Sequence, residues 1–139
     1  LFLASIGYAI TAIDSSTVGV EQMYKQAKSQ NLEITGITGD ILILPLEEKF
    51  DIILFDMVLH GFEESQQAEL LQKYEKNLNP EGLLCVVFPD DIDVGHFIKI
   101  LNTEAQKWIV KDEIVINDIP QVEDEVIDFA FIMQCIQRV

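Results

Sequence analysis

The sequence predicts a mostly parallel α/β sheet, and three observations predict it. Short apolar runs rich in Ile, Val and Leu alternate with amphipathic, helix-length segments along most of the chain. Alternation of that kind builds parallel strands joined by crossover helices. Three successive strand-like runs close on an acid, Asp14, Asp40 and Asp56, and open α/β sheets take ligands beyond the carboxyl ends of their strands. Finally, the runs 108–116 and 126–136 follow one another with no helix-length pattern between them. That order is most simply an antiparallel pair.

Each element has a local reason. Leu1 to Ser5 reads as the last turn of a helix, with Gly7 placed to stop it. Tyr8 to Ile13 is a strand. Ser16 or Thr17 then caps a helix running to Ser29, whose apolar Val20, Met23, Tyr24 and Ala27 recur at helical spacing. Glu33 to Thr38 is a second strand, closed by Gly39-Asp40. Phe50 to Phe55 is an apolar run expected to be buried on both faces, as in a parallel sheet. Asp56 to Glu64 reads as a loop and Ser65 as the cap of a helix ending near Leu78, with Leu70, Leu71, Tyr74 and Leu78 on its inner face. Asn79-Pro80-Glu81-Gly82 is a turn before a buried strand, Leu83 to Phe88. A last helix is expected over 93–102.

At 139 residues the chain fits one domain with a substantial core. No apolar stretch approaches the ~20 residues that span a bilayer, and no charged-then-apolar leader is visible. The formal charge of −15 argues against a nucleic-acid partner, because the few Lys and Arg residues are scattered and form no stripe. Cys85 and Cys135 lie inside separate apolar runs with no CxxC spacing. They read as buried, reduced thiols, which fits a cytoplasmic protein. No metal-ligand cluster or nucleophile elbow is visible.

Asp14 carries the most information. An acid at a strand end commonly takes ribose hydroxyls, ~20 residues after a glycine-rich turn. Counting back that far from Asp14 runs past Leu1, and the glycines at 7, 19, 36, 39, 61, 82 and 95 form no GxG pair. The domain is therefore expected to be N-terminally incomplete, without its first motif.

Four segments in register carry a family resemblance: ASIGYAITAIDSS, TGDILILPL, FDIILFDMVLH and LNPEGLLCVVFP. Together they resemble the class I S-adenosylmethionine-dependent methyltransferases from Leu1 to about Pro89. The resemblance implies a Rossmann-like sheet with helices on both faces, whose last, antiparallel strand lies between its two predecessors. Here the sheet would lack its first, central strand. It further implies that Asp14 holds the ribose hydroxyls, with Ser15 at the adenine–ribose edge. Asp40 would meet the adenine amine and Ile41 frame that ring. Asp56 and Met57 would line the methionine part, and His60 would stand near the acceptor.

The implied reaction is in-line transfer of a methyl group from S-adenosylmethionine, in which the protein mainly aligns the reactants. His60 is the candidate general base, needed only for a protonated acceptor; the commoner role of a loop histidine is structural, stacking or capping near the strand end. His96, beside Gly95, has a weaker placement. The partners expected are a small-molecule acceptor, no nucleic acid and no membrane; a homodimer stays open. Two alternatives stand beside this reading. One is a catalytically silent binding or scaffold domain, which a missing glycine loop would fit. The other is a fragment of an NAD-dependent oxidoreductase, which would also use an acid at position 14.

Overall fold

The computed structural model describes residues 1–116 and 130–139. The chain divides into two compact units, Leu1–Pro45 and Leu46–Val139.

The first unit holds α1 (Phe2–Ser5), β1 (Ile10–Asp14), α2 (Thr17–Ser29) and β2 (Ile34–Thr38). Gly7, at φ +101°, turns the chain after α1 in a conformation that side chains disfavour. The strand expected from Tyr8 begins two residues later. β1 and β2 pair in parallel from Ile10↔Ile34 to Asp14↔Thr38. Ser16 caps α2 by accepting the Gly19 N–H at 3.0 Å. Val20 and Ala27 are the residues of this unit that are buried. Gly36 lets α2 lie close on β2: a Cβ there would stand 2.7 Å from Met23 Cε and 2.9 Å from Val20 Cγ1. The Tyr24 hydroxyl accepts the Gly36 N–H at 2.7 Å across the same contact.

The second unit holds β3 (Phe50–Asp56), α3 (Glu64–Tyr74), β4 (Leu78–Pro89), α4 (His96–Leu101), β5 (Trp108–Ile116) and β6 (Phe131–Arg138). Its sheet runs β3-β4-β6-β5. β3 and β4 are parallel, and β6 is antiparallel to both β4 and β5. The last strand therefore lies between its two predecessors, as the resemblance implies. The part of the expected final strand at 126–129 lies outside the described residues. Among the described residues β1 pairs only with β2, and β3 only with β4.

Most of the core of this unit is on one sheet face, with Cys85 and Val87 buried on the other. Phe55 meets Tyr74 of α3 edge-on at 5.7 Å between centroids, and Phe88 meets Phe97 of α4 at 5.1 Å. Leu84, Val86 and Ile136 complete it, fully buried. The expectation that β3 is buried on both faces is corrected: Ile52 and Leu54 are 40% and 41% exposed. Strand residues alternate between faces, and only the face carrying Phe55 lies under α3 and α4.

Four local expectations also change. Ser65 does not cap α3. Glu63 does, in a reciprocal capping box with Gln66, so the helix starts one residue before Ser65. The helix ends at Tyr74 and passes through a 3-10 turn, Glu75–Asn77, into β4. The Asn79–Gly82 turn is absorbed into β4 as an irregularity. Leu78 pairs with Phe50 and Leu83 with Ile52, and Glu81 takes φ 65° at the bend. The helix expected over 93–102 is confined to α4.

Candidate functional site

In the first unit, Asp14 and Asp40 come to the same end of the parallel sheet. Asp14 closes β1 opposite Thr38, and its carbonyl accepts the Gly39 N–H at 3.0 Å, immediately before Asp40. Each acid also closes a tight turn. Asp14 Oδ1 accepts the Ser16 N–H at 2.8 Å, and Asp40 Oδ1 accepts the Leu42 N–H at 2.9 Å. The ordinary turn role of Asp is thus present at both positions. It occupies one lone pair of one oxygen, and an ionised carboxylate offers about four acceptor sites.

Both acids are exposed, as is Ser15, while Ile41 is half-buried. Gly19 keeps the Asp14 carboxylate open. A Cβ at Gly19 would sit 3.3 Å from Asp14 Oδ2, tighter than ordinary contact. An exposed carboxylate with acceptor sites beyond the Ser16 bond can accept from a diol such as the two hydroxyls of a ribose.

In the second unit, Asp56 is exposed at the carboxyl end of β3. Met57 donates its N–H to the Val87 carbonyl at 3.1 Å, one bond beyond the β3 residues. Its φ of 53° then swings the chain out of the sheet. Left-handed backbone at a non-glycine residue is uncommon, and where it occurs the surroundings must impose it. Leu59, fully buried, anchors the 3-10 turn Leu59–Gly61 and leaves His60 exposed on it. The expected loop is thus a fixed turn with a solvent-facing imidazole.

His96 takes the structural role. Its Nε2 lies 2.7 Å from Gln67 Oε1, and its ring meets Phe97 edge-on. Gln67 in turn donates to the Phe62 carbonyl at 2.8 Å. This buried amide ties the segment after His60 to the start of α4, and sequence reasoning missed it. A Gln inside a polar helix stretch gives no signal of burial. Gln134 was also missed, as a lone polar residue in an apolar run; it is buried in β6 and donates to the Val94 carbonyl at 2.7 Å.

Asp14, Ser15, Asp40 and Ile41 thus belong to the first unit, and Asp56, Met57 and His60 to the second. Among the described residues no three His, Cys, Asp or Glu side chains gather as a metal site would require. Nor is any helix long and apolar enough to cross a membrane.

Comparison with known proteins follows the same lines. Residues 1–82 match the family model described as a methyltransferase domain. Among curated proteins, none matches this chain by sequence. Three solved structures illustrate the fold likeness. Magnesium protoporphyrin IX methyltransferase from Synechocystis PCC 6803, solved with bound SAM, superposes with a TM-score of 0.77 at 14% identity. The match covers 99% of this chain and 62% of that one. The N-methyltransferase NodS from Bradyrhizobium japonicum WM9, in complex with S-adenosyl-L-homocysteine, gives 0.69 at 21% identity, over 94% and 66% of the two chains. The [4+2]-cyclase SpnF gives 0.73 at 14% identity, over 98% and 68%. Across the similar structures of known share, this chain spans from 30% to 79% of the other's length.

Proposed function

This chain belongs to the methyltransferase-domain family, and from that premise we propose that it binds S-adenosylmethionine and transfers its methyl group to a small-molecule acceptor. Residues 1–139 are read as one methyltransferase-like domain. The observation that carries the reading is the placement of Asp14 and Asp40 at one end of adjacent parallel strands, bridged by the Gly39 N–H. Solved structures of the same fold hold SAM or S-adenosyl-L-homocysteine.

In this reading Asp14 accepts both ribose hydroxyls and Ser15 flanks the nucleoside. Asp40 accepts from the adenine amine while Ile41 packs on the ring. Asp56 and Met57 line the methionine moiety, and the exposed His60 removes a proton from an acceptor that carries one. The bound cofactor would supply a methyl group already activated by its sulfonium. The protein's own contribution is alignment, because an in-line displacement needs the acceptor held against the methyl carbon. A small acceptor is favoured by the charge of −15, which repels polyanions.

The test is a thermal-shift and calorimetric titration of the full chain as the cell makes it. S-adenosyl-L-homocysteine at about 100 times its Kd should stabilise by ~2.7 kcal/mol. Asp14→Asn keeps the acceptor for the Ser16 N–H but loses the charge. It should weaken that binding by roughly 10–100-fold, the loss expected for charge-assisted hydrogen bonds, with the unliganded melting temperature unchanged. Equal affinity in the variant would remove Asp14 from the site, and stabilisation by NAD alone would replace the cofactor.

One observation favours a second reading, a ligand-binding domain that transfers no methyl group. A [4+2]-cyclase shares the fold, so the architecture by itself does not fix the reaction. Binding of S-adenosyl-L-homocysteine without methyl transfer to any acceptor would decide for it.

A further inference from the structure

We propose that Cys85 and Cys135 form a reversible cross-strand disulfide, closed by exchange with a small-molecule disulfide of the glutathione type. The two residues are direct register partners on β4 and β6, and their Sγ atoms lie 2.6 Å apart. Directly opposed residues of an antiparallel pair have Cα atoms ~4.5–5.5 Å apart, inside the ~4.4–6.8 Å that a disulfide spans. The bond therefore forms without changing the register. Nothing in the sequence shows this, because fifty positions separate the two cysteines.

Both side chains point to the sheet face away from Val86 and Phe88, the face that α3 and α4 leave uncovered. Cys85 is buried and Cys135 half-buried. Burial, reinforced by the neighbouring Cys135 thiol, pushes the Cys85 thiol up. Cys85 is therefore the poorer first nucleophile. The order of steps follows.

The Cys135 thiolate attacks one sulfur of glutathione disulfide. That S–S bond breaks and one glutathione thiolate leaves, with glutathione now joined to Cys135. The Cys85 thiolate then attacks the Cys135 sulfur and expels the second glutathione. Two protein thiols are oxidised to one disulfide, one glutathione disulfide is reduced to two thiols, and the two protein protons pass to the departing thiolates. The bond would lock β4 to β6 two residues from Val87, whose carbonyl receives the Met57 N–H.

The experiment equilibrates the full chain in glutathione buffers from fully reduced to fully oxidised. Acid quenching, alkylation with N-ethylmaleimide in denaturant and intact mass follow. The same series is run on chain unfolded in urea and refolded in each buffer, so that burial cannot block the reaction. The expected result is a monomer that loses two alkylatable thiols and two hydrogens at the oxidising end, with a melting temperature raised by several degrees. Cys85→Ala should instead accumulate a single glutathione on Cys135. Two alkylatable thiols in every buffer of both series, or a disulfide-linked dimer, would overturn the pair. An unmodified Cys135 in the Cys85→Ala variant would overturn the order of attack.

Discussion

The two units of this chain use the same elements and differ in what they bury. The four-stranded unit has a closed aromatic and aliphatic face: Phe55, Tyr74, Phe88 and Phe97 interlock, with Leu84, Val86 and Ile136 beneath them. The two-stranded unit buries only Val20 and Ala27, and Ile10, Ala12 and Ile13 of β1 stay half-exposed. Two strands with one helix over them are marginal by themselves. Yet that is the unit in which Asp14 and Asp40 meet. Rigidity resides in one unit and the proposed nucleoside-reading acids in the other, an arrangement in which ligand binding should order the weaker part.

The largest expected effect tests that contrast directly. Phe88→Ala should cost about 3–5 kcal/mol, the range for emptying a buried aromatic site, read as a fall in the urea midpoint. Val20→Ala removes two methyl groups and should cost about 2 kcal/mol. Hydrogen exchange should then quicken in α2 and β2 while β4 and β6 keep their protection. If Val20→Ala loosened β4 and β6 to the same degree, the two units would be one cooperative structure and the contrast would fall.

A smaller effect is expected at Gly36. The Cβ of Gly36→Ala would press on the stiff Val20 side chain at 2.9 Å as well as on the pliable end of Met23. Overpacking of this kind costs about 1–3 kcal/mol. The loss should appear as faster exchange in α2 and as weaker S-adenosyl-L-homocysteine binding, because the Ser16 cap beside Asp14 belongs to that helix. Unchanged exchange in α2 would mean that the helix does not depend on its close seat over β2.

What the sequence revealed, and what it hid, divides along physical lines. The order of elements, the narrowing of the α2 cap to Ser16 or Thr17 and the span of β5 are local matters, written in periodicity and capping chemistry. The acids at the strand ends were legible because strand and turn signals are adjacent there. The antiparallel insertion of β6 between β4 and β5 came only through family resemblance. Register was not legible, so the meeting of Cys85 with Cys135 was invisible although each cysteine stood in an apolar run. Glu63 outcompeted Ser65 because Gln66 completes the capping box with it, and single-residue preference does not see that reciprocity. Gln67 and Gln134 are buried by tertiary contacts that no spacing announces. The exposure of Ile52 and Leu54 has the same character: composition marks a strand as apolar but not which faces are covered.

The smallest expected effect separates acids that look alike. Asp93 closes the same two-residue turn as Asp14 and Asp40, its Oδ1 accepting the Gly95 N–H at 2.8 Å. It also lies 3.3 Å from the Lys99 ammonium. The Gly95 N–H, with Lys99 behind it, holds the Asp93 carboxyl below the usual carboxylate range. A carboxyl lowered in the folded chain contributes stability that is fully present above its unfolded value, about 3.9. That contribution disappears as pH falls through the lowered folded value. Both groups are largely exposed, so the effect should be slight and weakened further by salt. Asp93→Asn should therefore lower the urea midpoint a little at pH 7 and not at all in strong acid, while S-adenosyl-L-homocysteine affinity stays unchanged. Asp14→Asn should do the reverse, leaving the midpoint alone and weakening the ligand. If both substitutions gave the same pattern, the turn geometry shared by the two acids would be their whole role, and the distinction between a ligand-reading unit and a structural one would collapse.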